Sequence, residues 1–113
     1  MHLSVNGIDT FVATGGREFD VAQPTVVLLH GAGFDHTAWA LHSRWLAHHG
    51  HSVLAPDLPG HGRSSGPPIP TIAGMADWTA ALLDTAGVAK AWLVGHSMGS
   101  LIAIETAKIG PAA

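Results

Sequence analysis

The sequence predicts an α/β fold, a mostly parallel sheet with helices on both faces, and three observations predict it. Three short runs of β-branched and aliphatic residues alternate with stretches whose apolar positions recur at helical spacing. Each run is apolar along its whole length, the pattern of a strand covered on both faces. Only 12% of the 113 residues are charged while 47% are hydrophobic, against a charged fraction of about a quarter in ordinary domains. Strands joined through helices run parallel, because the helix carries the chain back to the starting end of the sheet.

The elements follow in order. Residues 3–5 and Ile8–Ala13 are apolar-rich runs joined by Asn6-Gly7. Both residues accept positive φ, so the pair predicts a tight antiparallel hairpin. A loop from Gly15-Gly16 to Pro24 leads into Thr25–Leu29, a continuous apolar run ended by His30-Gly31. Over 37–47, Ala38, Leu41, Trp45 and Leu46 recur at helical spacing and are expected to face the core, with Gly50 as the stop. Residues 52–55 predict a second buried strand, closed by Pro56-Asp57. The segment from Leu58 to Ser64 and the proline-rich loop to Pro70 exclude regular structure.

Thr71 is placed to cap a helix reaching about residue 86, with Ile72, Met75, Ala76, Thr79, Leu82 and Leu83 on one face and Gly87 at its end. Residues 91–94 predict a third buried strand, and 98–108 a helix ended by Gly110-Pro111. No repeat, low-complexity tract or linker divides the chain, so residues 1–113 belong to one domain.

The net charge of −3 and the lack of any Lys/Arg run exclude a nucleic-acid surface. The absence of cysteine excludes disulfides and thiolate metal sites. Nine histidines raise the question of a metal, and His48, His49 and His51 cluster. No carboxylate lies near them in sequence, and they read as a solvated helix end favoured by the negative pole of the helix dipole. No metal or other cofactor is expected. The N-terminus has neither the basic start nor the apolar run of a signal peptide, and no apolar stretch is long enough to span a bilayer. A cytoplasmic location is the expectation.

The chemistry concentrates at Gly95-His96-Ser97-Met98-Gly99, between the strand ending at Val94 and the helix starting near Met98. A serine hydroxyl is a weak nucleophile and needs an exposed fixed position, a base, and donors for the developing oxyanion. A sharp strand-to-helix turn supplies the position, with Gly95 and Gly99 relieving the crowding. The Met98 N–H, at a helix N-terminus, points toward negative charge. His96 adjoins the serine, but neighbours on a sharp turn diverge, so it is expected to orient the turn rather than act as base.

Loops at the carboxyl ends of adjacent parallel strands open on one side of the sheet. His30-Gly31-Ala32-Gly33 therefore faces Ser97 and is placed to give a second backbone donor. Asp57 and His61 read better as turn-holding groups than as an acid–base pair: Asp57 accepts turn N–H bonds while Arg63 and Ser64 tie the turn down. His30 reads as a hydrogen-bonded core histidine. Asp35, His36 and Trp39 follow the loop and have either pocket-border or packing roles.

Three motifs now stand in order: Leu28 through Gly33, Asp57 through Ser64, and Gly95 through Gly99. Over essentially its whole length the chain resembles the N-terminal half of the serine α/β-hydrolase family, cut after the nucleophile helix. The resemblance implies Ser97 as nucleophile and the amides of Ala32 and Met98 as oxyanion donors, with Gly33 or Phe34 as rivals to Ala32. Gly31, Gly33, Gly95, His96 and Gly99 would support the elbow and the oxyanion loop. It further implies a small ester-like substrate and an acyl-enzyme, with esterase, lactonase, thioesterase and haloperoxidase-like branches open. A serine here separates the chain from the family's epoxide hydrolases and haloalkane dehalogenases, which place an aspartate there.

In this fold the acid and then the histidine follow the serine along the chain. Sixteen residues follow Ser97, none of them Asp or His. The triad's acid and base are thus expected outside these residues, and the alternative is a non-catalytic binding module or inactive fragment. The strand at 91–94 is central in the family's sheet; here its unpaired edge is expected to invite self-association.

Overall fold

Asn6 and Gly7, at φ of 51° and 79°, reverse the chain between β1 (His2–Val5) and β2 (Ile8–Ala13), which pair antiparallel with Val5 opposite Ile8. The computed structural model describes residues 1–109. Every residue of β3 (Thr25–Leu29) and β4 (Ser52–Pro56) is buried, as their unbroken apolar runs require. Strand β5 (Ala91–Gly95) completes a five-stranded sheet in the order β1-β2-β4-β3-β5. Strand β3 runs parallel to both β4 and β5, and β2 joins β4 antiparallel.

The alternation of side chains along the strands sends two sets of residues to opposite faces. Val27, Leu29 and Leu54 pack with Met75, Trp78 and Leu82 of α2 (Ile72–Ala86) and Ile102 of α3 (Met98–Ile109). Val26, Leu28, Val53 and Ala55 pack on the other face with Ala47 of α1 (Ala40–Ala47), and Trp39 and Leu46 add to them. Helices thus cover both faces. Helix α2 starts where Thr71 Oγ1 accepts the Gly74 N–H at 3.0 Å and stops at Gly87, left-handed at φ 76°.

Three expectations change. Residues expected to open a helix at 37 form a short 3₁₀ turn, His36–Trp39, and α1 begins at Ala40. Leu41 and Trp45, expected to face the core, are 82% and 58% exposed, while Ser43 and Ala47 face inward. The cause is close approach: a side chain on Gly15 would collide with the Ser43 carbonyl and with Ala47. Only small residues fit under that loop.

The third change is in β5, which is not covered on both faces. Among the described residues it pairs only with β3, and Trp92 and Val94 stay exposed. The helix stop expected at Gly110-Pro111 lies outside the described residues.

Candidate active site

Gly95 ends β5 and Met98 begins α3, so two residues must turn the chain from strand to helix. Ser97 does so at φ 57°, and Asn6 of the hairpin is its one non-glycine companion at positive φ among the described residues. Such a conformation costs a residue with a Cβ about 1–3 kcal/mol, so the surroundings must impose it.

They do. The Leu29 carbonyl accepts the His96 N–H at 3.1 Å, which carries the β3–β5 ladder one residue past the strand. The His96 carbonyl accepts from Gly99 N at 2.9 Å, and the Ser97 carbonyl from Ser100 N at 3.0 Å. A Cβ on Gly99 would strike the Leu29 carbonyl, and one on Gly95 would strike Gly99 itself. Both glycines are needed for strand, turn and helix to meet this closely. The Ser97 side chain is left exposed, and so is the His96 ring; His96 holds the turn through its backbone.

The loop after β3 lies directly beside this turn. Gly31 is buried, and a Cβ placed on it would lie 3.3 Å from the Ser97 Cβ and 3.4 Å from the His96 carbonyl. Beyond it, Phe34 N donates to the Gly31 carbonyl at 3.1 Å across a turn that Gly33 enters at φ 77°. That bond commits the Phe34 amide to the Gly31 carbonyl. Among the described residues, the amides of Ala32, Gly33 and Met98 donate to no acceptor in the chain.

Two histidines anchor this loop to the segment after β4. His30 is fully buried; its Nε2 accepts the Leu58 N–H at 3.0 Å and its Nδ1 lies 2.7 Å from the Gly31 carbonyl. A carbonyl only accepts, so the proton sits on Nδ1 and the ring is neutral. Burial holds its pKa below the usual 6.5, against the smaller opposing effect of the Gly31 bond. At the other end, His36 meets the fully buried Asp57. Asp57 Oδ1 accepts the His36 N–H at 2.7 Å and ring Nδ1–H at 2.9 Å, and Oδ2 accepts the Arg63 N–H at 2.8 Å.

Asp57 therefore pairs with His36 and not with His61, whose ring lies beside His30 at 5.2 Å. Ser64 Oγ donates to the Asp57 carbonyl at 2.6 Å and accepts from Phe11 N at 3.0 Å, and the Arg63 guanidinium lies 4.9 Å over the Phe11 ring. Arg63 and Ser64 do tie the turn down. Asp35 caps the 3₁₀ turn; the Thr37 hydroxyl and then its N–H hold the Asp35 carboxyl below the ordinary carboxylate range.

The histidines at the end of α1 turn inward on their own helix, with His48 Nδ1 2.8 Å from the Arg44 carbonyl and His49 Nδ1 2.6 Å from the Trp45 carbonyl. Asp35, His36 and Asp57 form the group of potential metal ligands that the described residues offer, their ligand atoms within 4.8 Å of one another. The Asp57 and His36 atoms are engaged with each other and with Arg63, and the Asp35 carboxylate with Thr37. Sequence reasoning missed the His36–Asp57 pair; 21 residues separate them, and no local pattern connects them.

A strained exposed serine, glycine-packed between β5 and α3 and abutted by the loop after β3, is the decisive arrangement. Residues 26–113 match the alpha/beta hydrolase family. The chain belongs to that family. This α/β-hydrolase chain is 42% identical over 89 residues to the dihydrolipoyllysine-residue acetyltransferase component of the acetoin cleaving system of Cupriavidus necator, covering 77% of this chain and 23% of that protein. It is 34% identical over 104 residues to epoxide hydrolase 2 of Siraitia grosvenorii, covering 89% and 31% of the two.

Among solved structures it matches a bacterial membrane phospholipase A with a TM-score of 0.85 at 33% identity, covering 95% of this chain and 34% of that one. An epoxide hydrolase of Vigna radiata gives a TM-score of 0.82 at 30% identity, with 94% and 34% covered. The α/β-hydrolase chain thus spans between 23% and 34% of the length of these relatives. Among the described residues, no helix is long and apolar enough to cross a membrane.

Proposed function

We propose that this chain supplies the nucleophile and oxyanion donors of a serine hydrolase acting on an ester or related carbonyl bond. Ser97 Oγ attacks the carbonyl carbon while its proton passes to a histidine base lying outside these residues, oriented by a carboxylate. The carbonyl oxygen becomes an oxyanion, met by the Met98 N–H and by Ala32 or Gly33. Collapse breaks the bond to the leaving alcohol, which departs with the proton returned by the base. Water then adds to the acyl-serine by the same route, releasing the acid and restoring Ser97. The small-molecule substrate is proposed to be ester-like.

One observation carries the reading: Ser97 is held at φ 57° with its side chain exposed between two sets of uncommitted amides. A structural serine gains nothing from that strain. The names of the relatives, an acetyltransferase component and epoxide hydrolases among them, do not choose the reaction, so the serine itself has to. The second reading is a binding module on the same fold, in which the Ser97 hydroxyl forms no covalent bond to its ligand.

A fluorophosphonate probe separates the two. The longest natural protein that contains this chain is expected to be labelled, and Ser97→Ala to abolish the label. Labelling that survives Ser97→Ala removes the nucleophile assignment; no labelling of the wild type favours the binding module.

A further inference from the structure

The loop that would receive the oxyanion is short and held at both ends by one other segment. His30 grips Leu58 N at the near end, and His36 grips Asp57 at the far end. Only Gly31 to Asp35 lie between, and Gly31 touches the Ser97 turn. We infer that His36 is a positioning residue, whose two hydrogen bonds to Asp57 set the direction of the Ala32 and Gly33 amides. The inference rests on the reading of Ser97 as nucleophile.

The geometry is that of a clamp rather than of a chance contact. One residue donates to a single carboxylate oxygen through both its backbone and its ring, fixing the chain direction and the side chain together. The carboxylate itself has no room to follow a shift. It is fully buried, its second oxygen is taken by Arg63 N, and a side chain on Gly62 would overlap it. The His36 ring also packs against Phe11, tilted by 54° at 4.8 Å between centroids. A carboxylate only accepts, so the ring presents its Nδ1–H to Asp57. Releasing the ring leaves the far anchor on the His36 N–H alone, and the amides between the anchors are aimed less tightly. A misplacement of about 1 Å at such a site costs up to about 100-fold in rate.

Two substitutions test this. His36→Phe keeps an aromatic ring against Phe11 but has no donor; His36→Asn places an amide N–H close to the position of Nδ1. The readout is inactivation by the fluorophosphonate, resolved into a rate at saturation and a half-saturating concentration, beside the thermal midpoint and hydrogen exchange of the amides of residues 34 and 36, which are hydrogen-bonded to the Gly31 carbonyl and to Asp57. His36→Phe is expected to lower the saturated rate by about 10- to 100-fold, to leave half-saturation within about twofold, and to speed exchange at both amides. His36→Asn is expected to restore rate and slow exchange. An unchanged rate in His36→Phe overturns the proposal. So does a loss that follows the thermal midpoint and that His36→Asn fails to rescue. If the wild type is never labelled at Ser97, the nucleophile reading fails by itself. Exchange still decides the clamp: unchanged exchange in His36→Phe overturns it.

Discussion

Gly99 and His30 decide whether the site can form, and each makes a separate demand. A methyl group on Gly99 would press into the Leu29 carbonyl and come within 2.9 Å of the His30 carbonyl. Gly99→Ala is therefore expected to destabilise by about 1–3 kcal/mol or more, read as a lowered urea midpoint, together with loss of Ser97 labelling. His30 makes a pH-dependent demand. Its folded pKa lies below the ordinary 6.5, so between those two values the unfolded chain binds more protons than the folded chain. The stability it contributes is complete above pH 6.5 and is lost as pH falls through the lowered folded value. The cause is burial, which penalises the charged imidazolium; a proton on Nε2 would also face the Leu58 N–H that this atom now accepts. Urea midpoints measured from neutral pH downward should fall more steeply for the wild type than for His30→Gln; parallel curves would contradict this account.

At the scale of the element, helix α1 carries the sharpest test because sequence and structure disagree there. Leu41→Lys on the exposed face is expected to change stability by less than about 0.5 kcal/mol. Ser43→Leu, under the Gly15 loop, is expected to cost about 1–3 kcal/mol, and equal urea midpoints for the two variants would restore the face read from periodicity. Periodicity fails here because α1 has apolar residues on two sides, and the choice between them depends on Gly15, far away in sequence. Strand β5 fails in a related way: an unbroken apolar run does not report whether both faces of the strand are covered. The remaining strands, α2 with its Thr71 cap, and the turn at Ser97 were legible because local chemistry determines each of them. The clamp between His36 and Asp57 was not, since it exists only once two loops from different strands converge.

The whole molecule is an α/β-hydrolase sheet with one face of β5 uncovered. Val26, Trp92, Leu28 and Val94 share that face through the parallel register, yet Trp92 is 63% exposed and Val94 40%. Since β5 pairs only with β3 among the described residues, the 113-residue chain expressed by itself is expected to self-associate. Sedimentation should show association that weakens in Trp92→Lys, whereas a monomer at every concentration would contradict the expectation. The site is more local than this surface, since the Ser97 turn is fixed by β3, β5, α3 and the loop at Gly31. The central claim is therefore tested most directly by trapping the covalent intermediate in the longest natural protein that contains this chain. After brief reaction with p-nitrophenyl acetate and acid quenching, peptide mass spectrometry should find one acetyl group on Ser97 and none in Ser97→Ala. Release of p-nitrophenol with no acetyl group ever found on Ser97 would contradict it.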